Sequence, residues 1–142
     1  MALGWEIEAM LLSVLLVDDN PTFLRVLTRF LTDQNEIALE VVGTVIGGEE
    51  AVAQAETLQP DVVLVDLQMP LRSGLELLPH LRARLPNASL IALSLLDPDS
   101  FRQTALAAGA DAFVSKASLE HDLLPAIRSL VPLQYRRGPC LC

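Results

Sequence analysis

Two aspartates stand side by side at the end of an apolar run, in Leu15-Leu16-Val17-Asp18-Asp19-Asn20-Pro21. A third acid, Asp66, closes the run Asp61-Val62-Val63-Leu64-Val65-Asp66. Ser94 follows Leu90-Ile91-Ala92-Leu93, and Lys116 follows Ala112-Phe113-Val114-Ser115. Adjacent carboxylates repel each other and form strands poorly, so this placement asks for a reason. Singly, each residue has a plain one. Asp18 and Asp19 would favour the start of a following helix by roughly 0.3–1 kcal/mol. Asp66 would be a loop acid, Ser94 a small loop residue and Lys116 a solvated cation. Together they offer something else. Carboxylates held close raise one another's pKa unless a cation neutralises them. Oxygen donors with room for water suit a hard ion, Mg²⁺ first and Mn²⁺ as its substitute.

These residues can meet only if the elements before them lie parallel. The spacing predicts strands at 11–17, 37–45 (interrupted at Gly43), 61–66, 90–93 and 112–115. Their near-continuous aliphatic character marks strands buried on both faces. Between them lie helical patterns. Asn20-Pro21 reads as an N-cap with proline at the first helical position, followed by a stripe of Phe23, Leu24, Leu27, Phe30 and Leu31. Gly47-Gly48 opens a second helix that Pro60 closes near residue 58. A third covers about 75–85, with Pro79 in its early turns. Asp97-Pro98 opens a fourth to about 108, where Gly109 is the expected stop. Ser118 is placed to cap a fifth running to about 131, with a bend predicted at Pro125. Alternation of this kind implies a parallel sheet, right-handed crossovers and helices on both faces. Ligands of such sheets gather outside the carboxyl ends of the strands, where all five polar residues fall.

The chain has 142 residues, of which 51% are hydrophobic, enough for one domain with one packed interior. Its net charge of −8 argues against direct binding of nucleic acid or an anionic membrane. No apolar run reaches the length of a membrane span. The first nine residues carry Glu6 and Glu8 and no basic residue, unlike a secretory signal, and Met10 is a possible second start. A cytoplasmic location is expected. Cys140 and Cys142 cannot build a disulfide scaffold or a four-ligand metal site. The expected organisation is an N-terminal extension over 1–10, a domain over 11–131 and a tail over 132–142.

In order along the chain, "LLVDDNP", "VVLVDLQMP", "ALS" and "AFVSKAS" resemble the receiver domain of two-component response regulators. The stretch "ALAAGADAFVSK" is similar to receivers of the NarL/FixJ type, and the likeness spans about residues 11–131. It implies a flavodoxin-like (βα)5 sandwich with strand order 2-1-3-4-5, an order given for receivers in general. It implies Asp66 as phosphoacceptor and Asp18, Asp19, Asp66 and the Gln68 backbone carbonyl as the metal's ligands. Lys116 and Ser94 would contact the phosphoryl group. Ser94 and Phe113 would form the switch, although Phe113 reads equally as a core aromatic. The implied partners are a sensor histidine kinase or phosphotransfer protein and an output protein or further C-terminal domain. A homodimer through the fourth helix, fifth strand and fifth helix is a possible assembly.

Two departures from the family pattern stand out. Proline often follows the lysine, with a cis bond; here it is Ala117, and cis without proline costs about 3 kcal/mol. The residue after the serine is usually small; here Leu95 and Leu96 follow. Together with Gln68, these would govern access to the aspartate and the lifetime of its phosphoryl group, either shielding it or obstructing the donor. Three rivals remain: a receiver-like interaction module that is rarely or never phosphorylated, a Mg²⁺-dependent phosphohydrolase, and a flavodoxin-like cofactor binder. The hydrolases of the haloacid dehalogenase type carry D-x-D after the first strand, whereas Asp18 and Asp19 are adjacent. The loops also lack the glycine-rich phosphate cradle of a flavin site. No helix-turn-helix follows residue 131, so either a stand-alone receiver or the front part of a longer regulator is expected.

Overall fold

The structure, a computed structural model, describes residues 11–69, 73–96 and 98–131. Five strands alternate with five helices: β1 Leu12–Val17, α1 Pro21–Asp33, β2 Leu39–Val45, α2 Gly48–Leu58, β3 Val62–Asp66, α3 Gly74–Arg84, β4 Ser89–Ser94, α4 Pro98–Ala108, β5 Ala112–Ser115 and α5 Leu119–Leu130. All pairings are parallel and the sheet order is β2-β1-β3-β4-β5. The chain therefore moves outward from β1 to β2, then returns past β1 to β3. The switch point falls between β1 and β3, which end in Asp18-Asp19 and Asp66.

The aliphatic strands feed two cores by simple alternation. Leu12, Val14, Leu16, Val62 and Leu64 pack with Leu24, Leu27 and Leu31 of α1 and Leu123 and Ile127 of α5. Leu15, Val17, Val63 and Val65 face the other way, onto Ala51 and Ala55 of α2, Leu77, Leu78 and Leu81 of α3 and Ala105 of α4. The same parity matters at the rim. Asp66 follows Leu64, and Ser94 follows Ala92, so their side chains leave the sheet toward opposite layers.

Local signals account for most of the boundaries. Asn20 Oδ1 accepts from the amides of Thr22 and Phe23, with Pro21 at the first helical position. Gln59 ends α2 in the left-handed region at φ 46°, and Gly109 has φ 126° after α4. β2 begins at Leu39 rather than residue 37, with Ile37 in an isolated bridge. The interruption at Gly43 is a bulge: Val14 pairs with Val41 and Leu15 with Gly43, so Val42 is the extra residue. α5 runs unbroken through Pro125. Ser118 stands at the N-cap position of α5 but its side chain makes no capping bond; its hydroxyl donates to Asp122 instead. A short 3₁₀ turn over Lys116–Ser118, capped by Ser115, leads into the helix in its place. The Lys116–Ala117 bond is trans, which removes the strained alternative.

The amino-terminal edge of the sheet is tied down by polar side chains. The Arg82 guanidinium donates to the carbonyls of Leu85, Ala88 and Gly109 and to Asp111, whose carboxylate also takes the Leu90 amide. Asp61 accepts from the Ser13 amide and hydroxyl.

At the opposite edge, Gly74 lets α3 begin against the backbone of the β3 terminus. A Cβ there would lie 2.2 Å from the Asp66 carbonyl oxygen and 2.8 Å from Leu67 Cα. Backbone cannot yield as a side chain tip can. Gly74→Ala is expected to cost at least about 3 kcal/mol in urea unfolding. Gly47→Ala, whose Cβ would meet nothing within 4 Å, should stay within about 1 kcal/mol of wild type.

Candidate functional site

Each acid at the switch point is fixed by its own loop. Asp18 Oδ1 accepts from the Asn20 amide at 2.9 Å, and Asp66 Oδ1 accepts from the Gln68 amide at 3.1 Å. Both carboxylates thus turn the chain just after their strands, as aspartates do in turns. Their bulk stays inside: Asp18 and Asp66 are each 2% exposed, and Asp19 is half-buried.

Lys116 balances the buried charge. Its Nζ lies 2.7 Å from Asp18 Oδ2 and 3.3 Å from Asp66 Oδ1. It also sits 4.2 Å from the centroid of the Phe23 ring, a cation–π distance. The sequence placed Phe23 only on the apolar stripe of α1. Its role beside the lysine follows from the reach of the Lys116 side chain to the start of α1, for which helical spacing holds no signal.

One ligand atom from each of Asp18, Asp19 and Asp66 lies within 4.8 Å of the others. Asp19 has no hydrogen-bond or ion-pair partner among the described residues, and the Gln68 backbone carbonyl accepts no hydrogen bond among them. Burial pushes the Asp66 pKa up, and the charge of Asp18 adds to this; the Gln68 amide and Lys116 pull the other way without cancelling it. A cluster of oxygen donors with excess negative charge and an acid held above its ordinary range fits a hard divalent cation.

Ser94 is wholly buried, yet it is not bonded to the acids. Its hydroxyl donates to Gln68 Oε1 at 3.1 Å, and the Leu95 amide donates to the same oxygen at 3.3 Å. The Leu96 amide donates to Ser94 Oγ at 2.9 Å. Leu95 is 70% and Leu96 43% exposed, so any shield over Asp66 requires them to fold inward. Phe113 is buried. The Arg102 guanidinium lies 5.4 Å from its ring centroid and within 3.4 Å of its carbonyl oxygen. The structure therefore brings Asp18, Asp19, Asp66 and Lys116 together and leaves Ser94 and Phe113 in the layer beside them.

An open parallel sheet with three carboxylates and a largely covered lysine at its switch point defines an acid-rimmed, flavodoxin-like domain. The chain belongs to the response regulator receiver domain family, whose profile matches residues 14–128. Receivers of this family serve two-component systems and bind Mg²⁺ at an acidic pocket. The chain is 36% identical over 118 residues to response regulator GacA of Pseudomonas viridiflava, covering 83% of this chain and 54% of that protein. It thus spans about half the length of the curated relatives it matches. The response regulator domain of Thermotoga maritima CheB superposes with a TM-score of 0.75 at 30% identity, covering 84% of this chain and 96% of that one. The receiver domain of the Mycobacterium tuberculosis response regulator NarL gives 0.74 at 28%, covering 84% and 94%. Among the described residues, no helix is long and apolar enough to cross a membrane.

The raised Asp66 pKa sets a direction for stability. Well below pH 3.8, the ordinary value for this acid, it is protonated in both states and costs nothing. As pH rises, the unfolded chain ionises first, and the native state loses stability until its own Asp66 titrates. In EDTA, Asp66→Asn should therefore melt above wild type at pH 7.5, with the gap closing toward pH 4. A gap that widens on acidification would reverse the sign assigned to this burial.

Proposed function

We propose that this domain accepts a phosphoryl group on Asp66 from a phosphohistidine donor, a sensor histidine kinase or a phosphotransfer protein. The observation that carries this reading is Lys116 Nζ, held between Asp18 and Asp66 beside a third acid. One Asp66 oxygen attacks phosphorus, the P–N bond breaks, and the departing imidazole nitrogen takes up a proton. The product is an acyl phosphate. Asp18, Asp19, Asp66 and the Gln68 carbonyl would hold Mg²⁺, or Mn²⁺, which when bound neutralises charge on the phosphoryl oxygens. Lys116 is already placed to stay with whichever anion gains charge. The Gln68 amide keeps Asp66 Oδ1 directed into its own loop, leaving the other oxygen as the nucleophile.

Phosphorylation adds roughly 1.5–2 negative charges at this rim. Ser94 gains a charged acceptor by turning toward Asp66, and the loop after β4 moves with it. Phe113, paired on β5 with Ala92 two residues before Ser94, would report its movement to the face formed by α4, β5 and α5. That face would meet an output protein, a further domain or a second copy of the chain. Leu95, standing in solvent, does not by itself favour the silent interaction module.

Incubation with Mg²⁺ and acetyl phosphate should add the mass of one phosphoryl group to wild type and none to Asp66→Asn. A gain that survives the substitution would move the acceptor elsewhere, and no gain in wild type would favour the silent module. Mg²⁺ at a hundred times its dissociation constant should stabilise the fold by about 2.7 kcal/mol. Asp19→Asn should remove most of that increment in thermal melts, since Asp19 makes no hydrogen bond or ion pair with another described residue that its loss would break.

A further inference from the structure

Gln68 touches both halves of the site with different atoms. Its backbone amide holds Asp66 Oδ1, while its side-chain carbonyl holds Ser94 and Leu95. The assignment of that side-chain atom as oxygen is fixed chemically. The Leu95 amide can only donate, so the atom facing it must accept. A serine hydroxyl has a single proton, and Ser94 Oγ already accepts from the Leu96 amide. The chain of bonds therefore runs from Leu96 N–H to Ser94, from Ser94 O–H to Gln68 Oε1, with Leu95 N–H joining at the same oxygen. Two bonds tie the loop after β4 to the loop after β3, and the Leu96 bond orients the serine that makes one of them.

Resting on the phosphoacceptor reading above, we propose that the Gln68 side chain is a latch that holds Ser94 and the loop after β4 in the unphosphorylated position. A phosphoryl oxygen on Asp66 and Gln68 Oε1 compete for one proton. The charged acceptor makes the stronger bond, but the switch must first give up both Gln68 bonds. Gln68 is thus a positioning residue that sets how readily the site accepts a phosphoryl group. Ser94 has no exposed surface and water cannot simply replace its lost acceptor, so the latch bond to it carries weight. Leu95, at 70% exposure, loses far less when released.

Gln68→Met keeps the length of the side chain and removes the acceptor. With saturating Mg²⁺, it should bind beryllofluoride, a phosphoryl mimic, about three- to tenfold more tightly than wild type. In a Ser94→Ala background the same substitution should change beryllofluoride affinity by less than about twofold, because the competing proton is gone. Unchanged or weaker beryllofluoride binding by Gln68→Met, or an equal gain without Ser94, would overturn the latch. Amide hydrogen exchange of Leu95 in the unliganded protein provides the arm that does not depend on phosphotransfer. It should accelerate in Gln68→Met, and unaltered exchange would likewise overturn the latch. If wild type takes no beryllofluoride, the phosphoacceptor reading fails, and the Leu95 exchange rate still decides whether Gln68 holds the loop.

Discussion

Everything at the carboxyl rim depends on the ammonium of Lys116. Two carboxylates with 2% exposure cannot sit within reach of each other unless a positive charge shares the space. Lys116 supplies it from β5 to Asp18 after β1 and Asp66 after β3, so one cation joins three strand ends. Its own side chain is 10% exposed, and the face of Phe23 replaces part of the water it gave up. Removing the lysine from such a set leaves buried charge uncompensated, at a cost of about 3–5 kcal/mol. The arrangement is therefore poor as a source of net stability and good as a charge balance. A change of charge anywhere in it is felt by all its members.

The parallel fold and the identity of the rim residues were legible in the sequence because both rest on short-range signals. Unbroken aliphatic runs announced strands covered on both sides, and the residue ending each run had to lie at the rim. Asn20-Pro21 and Gly109 marked a helix start and a helix stop by local stereochemistry alone. Other features had no such signal. Phe23 sits at helical spacing with Leu24 and Leu27, and only the contact with the Lys116 ammonium distinguishes it from them. Gly74 looked like an ordinary loop residue, although its missing Cβ is what lets α3 touch the Asp66 backbone. Ser118 takes the cap position that the rule gives it, yet its hydroxyl bonds to Asp122 and caps no helix amide.

The position of Ser94 shows how pleat geometry shapes the site. Strand-end residues share a rim, but alternation decides which layer each side chain enters. Asp66 continues the parity of Leu64, toward α1 and α5, while Ser94 continues that of Ala92, toward α2, α3 and α4. A hydroxyl and a carboxylate on neighbouring strands are thus close along the sheet and separated across it. Gln68, just past the end of β3, has the length to reach the serine where Asp66 does not. The resting arrangement is asymmetric for a reason already present in the two-residue repeat of the strands.

The polar ties of Arg82 and Asp61 lie at the other end of the same strands. There a guanidinium, two carboxylates and a serine fasten the segments that enter β1, β3, β4 and β5. The strands are thus clamped at their base independently of the charged rim. Loops at the tip can then change length, residue type or position while the order of the strands is secured elsewhere. A division of labour of this kind lets one scaffold be retuned for different signals without having to solve its folding again.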